Sequence, residues 1–85
     1  PRPNPSSGEV QVAFELASGA YAVVEVFDLA GRRVKTLCKQ WMPAGMSDLY
    51  WNGKTSSEVP VATGVYFIRL QTDTAVFTRR VVMAR

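Results

Sequence analysis

Histidine is absent from the 85-residue sequence, and cysteine occurs once, as Cys38. Without histidine the chain cannot build a Ser-His-Asp or Cys-His catalytic arrangement, or a histidine-containing zinc site. One cysteine cannot close an internal disulfide, so the fold must be held together by packing. We interpret Cys38 as a small apolar residue near the end of a strand, not as a reactive thiol.

Charge is also sparse, because acidic residues number seven and are scattered over predicted strands and turns. Paired catalytic carboxylates and calcium loops both need several acids close together. The ten basic residues give a net charge of +3, and seven of them form two loose groups, at positions 32–39 and 79–85. Nucleic-acid binding usually needs a continuous basic face with interleaved aromatic residues. We therefore predict that the chain is not an enzyme, uses no metal or cofactor and binds no nucleic acid.

Long apolar runs are missing as well, so the sequence predicts no transmembrane segment, and its start does not resemble a signal peptide. If the protein is exported, we expect the export signal to lie elsewhere. The remaining composition, 47% hydrophobic and 20% charged, is typical of one small folded domain. Three prolines among the first five residues predict a linker or lead-in over residues 1–8, and we assign residues 9–85 to the domain.

Apolar and polar residues alternate with a period of two through several short segments, which is the pattern of strands with one buried face. The predicted strands begin near Glu9, continue over 22–27, 33–38, 48–51 and 64–70, and end with a segment over 75–83. Turn signals separate these segments, including a hairpin turn at 28–31. Trp41 and Met42 fall in a predicted loop, and Trp51 is predicted to be a core or sheet-edge anchor. No segment has helical spacing, so the chain is predicted to be all-β, a sandwich or barrel of six to seven strands.

Four short motifs occur in order along the chain. They are Pro3-Asn4-Pro5, the turn Asp28-Leu29-Ala30-Gly31-Arg32, Gly45 followed by Trp51-Asn52-Gly53, and Pro60-Val61-Ala62-Thr63-Gly64-Val65-Tyr66. Together they resemble the C-terminal sorting domains of the type IX (Por) secretion system and the similar immunoglobulin-like domain of flagellar hook-capping proteins. The resemblance covers nearly the whole chain and implies an immunoglobulin-like (fibronectin III-like) antiparallel β-sandwich. The glycines in these motifs suit turns that need unusual backbone angles.

The resemblance also implies a function, that of a C-terminal sorting and attachment module in a larger secreted or cell-surface bacterial protein. Its partners would be a covalently linked upstream catalytic or adhesive domain and the outer-membrane secretion machinery. The residues that resemble the recognition strands of the sorting domains are Gly64, Val65, Tyr66, Arg79, Arg80, Val81, Val82 and Arg85. We expect recognition through an exposed sheet edge and the terminal strand, with the arginines giving orientation.

Two positions depart from the family pattern after the Trp-Asn-Gly turn. Thr55 stands where the family often has an acidic residue, and Glu58 stands where it often has a glycine. The turn around these residues is therefore the part of the fold that the resemblance predicts least well.

Two other roles stay open at this point. A flagellar hook-cap-like assembly domain would need an oligomer-forming surface, for which Trp41 and Met42 are candidate contact residues. An accessory spacer or carbohydrate-binding module of a secreted glycoside hydrolase would use Trp41 or Tyr50 as an aromatic platform.

Overall fold

The computed structural model describes residues 8–84, and every regular element in this range is a β-strand. The strands are β1 (Val10–Leu16), β2 (Ala20–Asp28), β3 (Arg33–Met42), β4 (Gly45–Trp51), β5 (Gly64–Gln71) and β6 (Val76–Met83). Within this range there is no helix that could span a membrane. The prediction of an all-β chain is confirmed.

The strands form two antiparallel sheets packed on a shared core. β1 pairs with β4 in the smaller sheet, and the larger sheet has the order β3-β2-β5-β6. The predicted hairpins are present between β2 and β3 and between β5 and β6. The chain passes from the larger sheet to the smaller one through Pro43 and Ala44, and Gly45 opens β4 with a φ of 100°, an angle that glycine adopts without steric cost. The result is a sandwich and not a closed barrel.

The core lies between the two sheets because one face of each sheet is covered by the other. On β1, buried residues alternate with less buried ones along the whole strand, as the sequence pattern predicted. The largest fully buried side chains include Trp51, Phe14, Ile68, Leu70 and Met83. Burying one side chain of this size contributes about 1.5–3 kcal/mol to stability. Packing of these residues supplies the cohesion that a disulfide gives to other domains of similar size.

β3 is longer than the sequence pattern predicted. It continues through Trp41 and Met42, which pair with Tyr21 and Ala20 of β2. The prediction of a loop at these two positions is therefore wrong. The second half of β3, residues 39–42, pairs with β2 without a register shift, but its sequence has two polar residues followed by two apolar ones, so a pattern of period two did not reveal it. β4 also begins earlier than predicted, at Gly45.

Candidate functional site

Three of the four sequence motifs meet at one end of the sandwich, which we call the motif pole, apart from Gly45 of the third motif, which pairs with Leu16 at the opposite end. The β2–β3 turn, the loop after β4 and the start of β5 form it. Asp28 pairs with Tyr66 across β2 and β5, and Ser56 in the loop donates its backbone N–H to the Val34 carbonyl at 3.2 Å. The fourth motif, Pro3-Asn4-Pro5, lies outside the described residues.

Asp28 closes the β2–β3 turn. Its carboxylate accepts hydrogen bonds from the backbone N–H of Arg32 at 2.9 Å and from the Nε of Arg32 at 3.0 Å. Gly31 donates its N–H to the Asp28 carbonyl at 3.0 Å and has a φ of 84°, which favours glycine. The hydrogen bond from the backbone N–H of Arg32 holds the pKa of Asp28 below its usual range. Asp28 therefore acts as a charged turn-forming residue.

Trp51 and Tyr66 form an aromatic pair beneath the motif pole. Their ring centroids are 5.2 Å apart at an interplanar angle of 63°, an edge-to-face contact. The indole of Trp51 donates to the Lys54 carbonyl at 3.0 Å, and the Tyr66 hydroxyl donates to the Ala62 carbonyl at 2.7 Å. The second contact is of the kind called a tyrosine corner in immunoglobulin-like sandwiches. Both side chains are buried, so the prediction that Trp51 is a core anchor is confirmed.

Glu58 explains one departure from the family pattern. It has a φ of 63°, an angle at which glycine is preferred, and it is the one non-glycine residue with positive φ among residues 8–84. The Glu58 carboxylate accepts hydrogen bonds from Lys35 Nζ at 3.1 Å and from Asn52 Nδ2 at 3.4 Å. The hydrogen bond from Lys35 lowers the pKa of Glu58. Lys35 and Asn52 thus hold a glutamate in a conformation that the family often gives to glycine.

Asn52 and Gly53 also stabilise the conformation of this loop. The Asn52 Oδ1 accepts hydrogen bonds from the Lys54 backbone N–H at 3.1 Å and from Lys35 Nζ at 3.3 Å. Gly53 has a φ of 74°, and its carbonyl accepts the Val61 N–H at 2.9 Å. The Trp-Asn-Gly motif therefore shapes the loop that joins β4 to β5.

Cys38 is half-buried and forms no disulfide. Burial raises the pKa of its thiol, so the thiol stays protonated at neutral pH and is a poor nucleophile. These properties agree with the interpretation of Cys38 as a small apolar residue, but its predicted position near the end of a strand is wrong because β3 continues to Met42.

The candidate recognition residues divide between the two faces of the larger sheet. Tyr66 and Val81 are buried in the core. Arg79 lies on the same side of β6 as Val81, and its guanidinium carbon is 5.0 Å from the centroid of the Phe14 ring. Tyr66 and Val81 are therefore not free to form a docking surface, whereas Arg79 is exposed at the border of the core. Arg85 lies outside the described residues.

The other candidates gather on the outer face of the larger sheet. Val65 pairs with Val82, and Phe67 pairs with Arg80 across β5 and β6. The valines and Phe67 are half-buried and Arg80 is exposed. We call Val65, Phe67, Arg80 and Val82 the outer patch. Phe67 was not among the candidate residues, although its place between Tyr66 and Ile68 in the alternation would have put it on this face.

A cleft of about 580 Å³ borders the outer patch at the motif pole. It is lined by Gly64 and Val65 of β5 and by Leu29 and Ala30 of the β2–β3 turn, among others. Leu29 is one of the exposed large hydrophobic residues. The patch and the cleft together give one end of the sheet an apolar surface with a concave margin.

Glu25 is the one buried charged residue among those that the structure describes. It lies on the outer face of β2 but is only 8% exposed. Its carboxylate accepts hydrogen bonds from Arg69 at 3.1 Å and from Arg33 at 3.3 Å. Arg69 also lies over the Phe27 ring, 4.5 Å from its centroid. The centre of the outer face is therefore an ion-pair network that covers the carboxylate.

Trp41 and Met42 have opposite environments, although they were both candidate contact residues. Met42 is 3% exposed and belongs to the core, so the prediction that it is a contact residue is wrong. The two residues differ because β3 extends through both of them, and successive side chains of a strand lie on opposite faces. Trp41 is 65% exposed, and its pairing partner Tyr21 is 56% exposed. Tyr50 is exposed on the other sheet. Tyr21 was missed because only the strand register reveals that it lies beside Trp41.

Comparisons with known proteins agree with this geometry. The sequence profile of a family described as the FlgD Ig-like domain matches residues 3–75. The crystal structure of FlgD from P. aeruginosa is similar at 23% sequence identity and a TM-score of 0.71, over 87% of this chain and 60% of that chain. PorZ, described as an essential bacterial surface component of the type-IX secretion system of Porphyromonas gingivalis, is similar at 20% identity and a TM-score of 0.55, over 78% of this chain and 8% of PorZ. No curated protein matches the sequence.

The two structural similarities confirm the immunoglobulin-like fold, and the chain spans only part of either protein. The family profile covers most of the chain, from residue 3 to the turn between β5 and β6. The matched range contains all four motifs, including the three that form the motif pole. The chain therefore belongs to the FlgD Ig-like domain family.

Proposed function

We propose that the chain is a non-catalytic sorting and attachment module of a larger secreted bacterial protein, recognised by the type IX secretion machinery. The observation that carries this proposal is the outer patch, where three of the candidate recognition residues lie side by side. The similarity to part of PorZ supports a secretion-related role. In this proposal an upstream catalytic or adhesive domain is the cargo, and the protein is secreted or attached to the cell surface by way of the periplasm.

The composition of the outer patch suits a protein partner. It combines two valines, one phenylalanine and one arginine, and aromatic residues and arginine are enriched at protein interfaces. The patch includes β6, an edge strand of the larger sheet. A partner strand added to this edge would gain backbone hydrogen bonds, and Arg80 would give orientation.

The test is export of a reporter fused to residues 1–85 in a type IX-competent cell. We expect export with the wild-type module and loss of export with the R80E variant, which reverses the charge in the patch. The matched control is K39E, a charge reversal on β3 at the far end of the same face. Periplasmic retention of the wild-type fusion would overturn the sorting role, whereas export of R80E at the wild-type level would overturn only the outer patch as the recognition surface.

A flagellar hook-cap-like assembly domain is the second candidate. The family match and the similarity to FlgD favour it. In this case the full-length parent protein should bind hook subunits, with exposed Trp41 as a candidate contact residue. A parent that sediments as a monomer and does not retain hook subunits in a pull-down assay would rule out the assembly role.

A further inference from the structure

A second cleft lies at the end of the sandwich opposite the motif pole. Its volume is about 560 Å³, and it lies between the β1–β2 turn, the end of β3 and the turn that joins β5 to β6. Tyr21, Trp41, Gln71, Thr72 and Asp73 are among its lining residues. No residue of the outer patch lines it, so it is a separate surface.

The Trp41 ring packs against Gly19 in this cleft, in space that a side chain at position 19 would occupy. A Cβ atom added at Gly19 would lie 2.8 Å from Cζ2 of Trp41 and 3.3 Å from its Nε1. Gly19 is not among the glycines with positive φ, so its backbone angle does not require glycine. The indole therefore rests against bare backbone while most of its surface stays open to solvent. An exposed aromatic ring whose position is fixed by packing is a preformed binding surface for a ligand.

Polar groups surround the platform. Thr72 forms the β5–β6 turn, where its hydroxyl accepts the backbone N–H groups of Thr74 at 3.2 Å and Ala75 at 3.1 Å. This turn places Asp73 beside Gln71 at the margin of the cleft. The pair offers a carboxylate acceptor and an amide that can both donate and accept hydrogen bonds.

We propose that this cleft binds a pyranose unit of a neutral oligosaccharide, with the Trp41 ring as its platform. A pyranose presents C–H groups on its faces, which suit an aromatic ring, and hydroxyl groups at its edge, which suit Asp73 and Gln71. Asp73 is the one charged residue among those that line the cleft, so an anionic sugar is disfavoured. Tyr21 extends the aromatic surface beside Trp41.

A proline-rich peptide is the main competing ligand, since such peptides also bind grooves lined by aromatic residues. The side chains of Gln71 and Asp73 favour the sugar, because a polyproline helix has no N–H or hydroxyl groups to donate to a carboxylate.

The test is isothermal titration calorimetry of the full chain with cellohexaose, mannohexaose, hexa-N-acetylchitohexaose and a decaproline peptide. We expect binding of at least one hexasaccharide and none of decaproline. Tryptophan fluorescence gives a second readout, because Trp41 is exposed and Trp51 is buried. Ligand binding should shift the emission of the exposed ring to shorter wavelength. Absence of binding to all three hexasaccharides, or binding of decaproline alone, would overturn the proposal.

Three variants locate the site. W41A should weaken binding about tenfold or more, as expected for an aromatic anchor. G19A should also weaken it, because the new Cβ displaces the Trp41 ring while leaving that ring in the protein. M46A, which removes an exposed apolar side chain from the other sheet, is the matched control and should bind as the wild type does. Equal affinity in W41A and M46A, with both proteins folded by circular dichroism, would contradict the assignment of the cleft.

Discussion

At the scale of single residues, side-chain contacts decide which backbone conformations the motif pole can hold. Glu58 adopts a positive φ, which costs about 1–2 kcal/mol for a residue with a Cβ atom. Its hydrogen bonds to Lys35 and Asn52 offset part of that cost. The sequence showed that Glu58 departs from the family pattern, but it did not show which residues compensate, because Lys35 is 23 positions away in the chain.

Two substitutions at Glu58 separate backbone strain from side-chain bonding. Both E58A and E58G remove the contacts with Lys35 and Asn52, but only E58G removes the Cβ atom. We therefore expect E58G to be more stable than E58A by roughly 1 kcal/mol in the free energy of unfolding. Urea denaturation of the two variants measures this difference. Equal stability, or greater stability of E58A, would mean that the positive φ is not strained.

Acid should lower the free energy of unfolding through two carboxylates of the motif pole. The folded-state pKa values of Glu58 and Asp28 are both lowered, so the unfolded chain binds protons more readily than the folded one. Their contribution to stability is present above the ordinary carboxyl values of about 3.9–4.3 and is lost as the pH falls through the lower folded-state values. We expect the free energy of unfolding of the wild type to decrease below about pH 4.3.

The E58Q variant is the control for this acid effect, because glutamine resembles the protonated acid. Its stability deficit relative to the wild type should be largest at pH 7 and should narrow towards pH 3. Urea unfolding at several pH values measures both proteins. A deficit that does not change with pH would show that the charge of Glu58 does not contribute.

At the scale of strands, the sequence pattern predicted well where apolar and polar residues alternate and poorly where they do not. β1 and β5 lie close to their predicted positions because burial alternates through most of each strand. The second half of β3 was missed because Lys39 and Gln40 are both polar and the two residues after them are both apolar. For the same reason Met42 was assigned to a contact surface and the pairing of Trp41 with Tyr21 stayed hidden. Local patterns carry no information on which residues of two strands face each other.

The edge strand β6 offers a test at this scale. Arg79 lies on its inward side and covers the Phe14 ring, and inward-pointing charges discourage the addition of further strands at an edge. We expect R79L to associate with itself more strongly than the wild type at equal concentration, because leucine keeps apolar cover over Phe14 but removes the charge. Sedimentation velocity measures the association, and R79K serves as the charge-conserving control. If R79L sediments like R79K across the concentration range, Arg79 does not protect the edge.

At the scale of the whole molecule, the outer patch and the Trp41 cleft lie at opposite ends of the same sheet. Pairing places Val65 beside Val82 near the motif pole, whereas Tyr21 and Trp41 pair at the far end. Glu25 and its two arginine partners lie between them. The resemblance drew attention to residues near the motif pole, but the cleft combines three separate chain segments and could be found only from the fold.

This separation predicts that the two surfaces act independently. R80E should abolish reporter export and leave hexasaccharide affinity unchanged. W41A should weaken hexasaccharide binding and leave reporter export unchanged. Both residues are exposed, so each substitution should change the free energy of unfolding by no more than about 0.5 kcal/mol. Export assays, calorimetry and urea denaturation on the same pair of variants test this. A variant that loses both functions while retaining its stability would show that the surfaces are coupled.

The pairing of the first and last strands has a further consequence for how a neighbouring domain would be mounted. Val10 at the start of β1 pairs with Trp51, and Met83 at the end of β6 pairs with Gly64, so both ends of the described chain leave from the motif pole. A flanking domain joined at either end would be attached at the motif pole. The module measures 36 Å in its longest dimension, so the Trp41 ring would stand at the tip of a short arm and point away from whatever the arm carries.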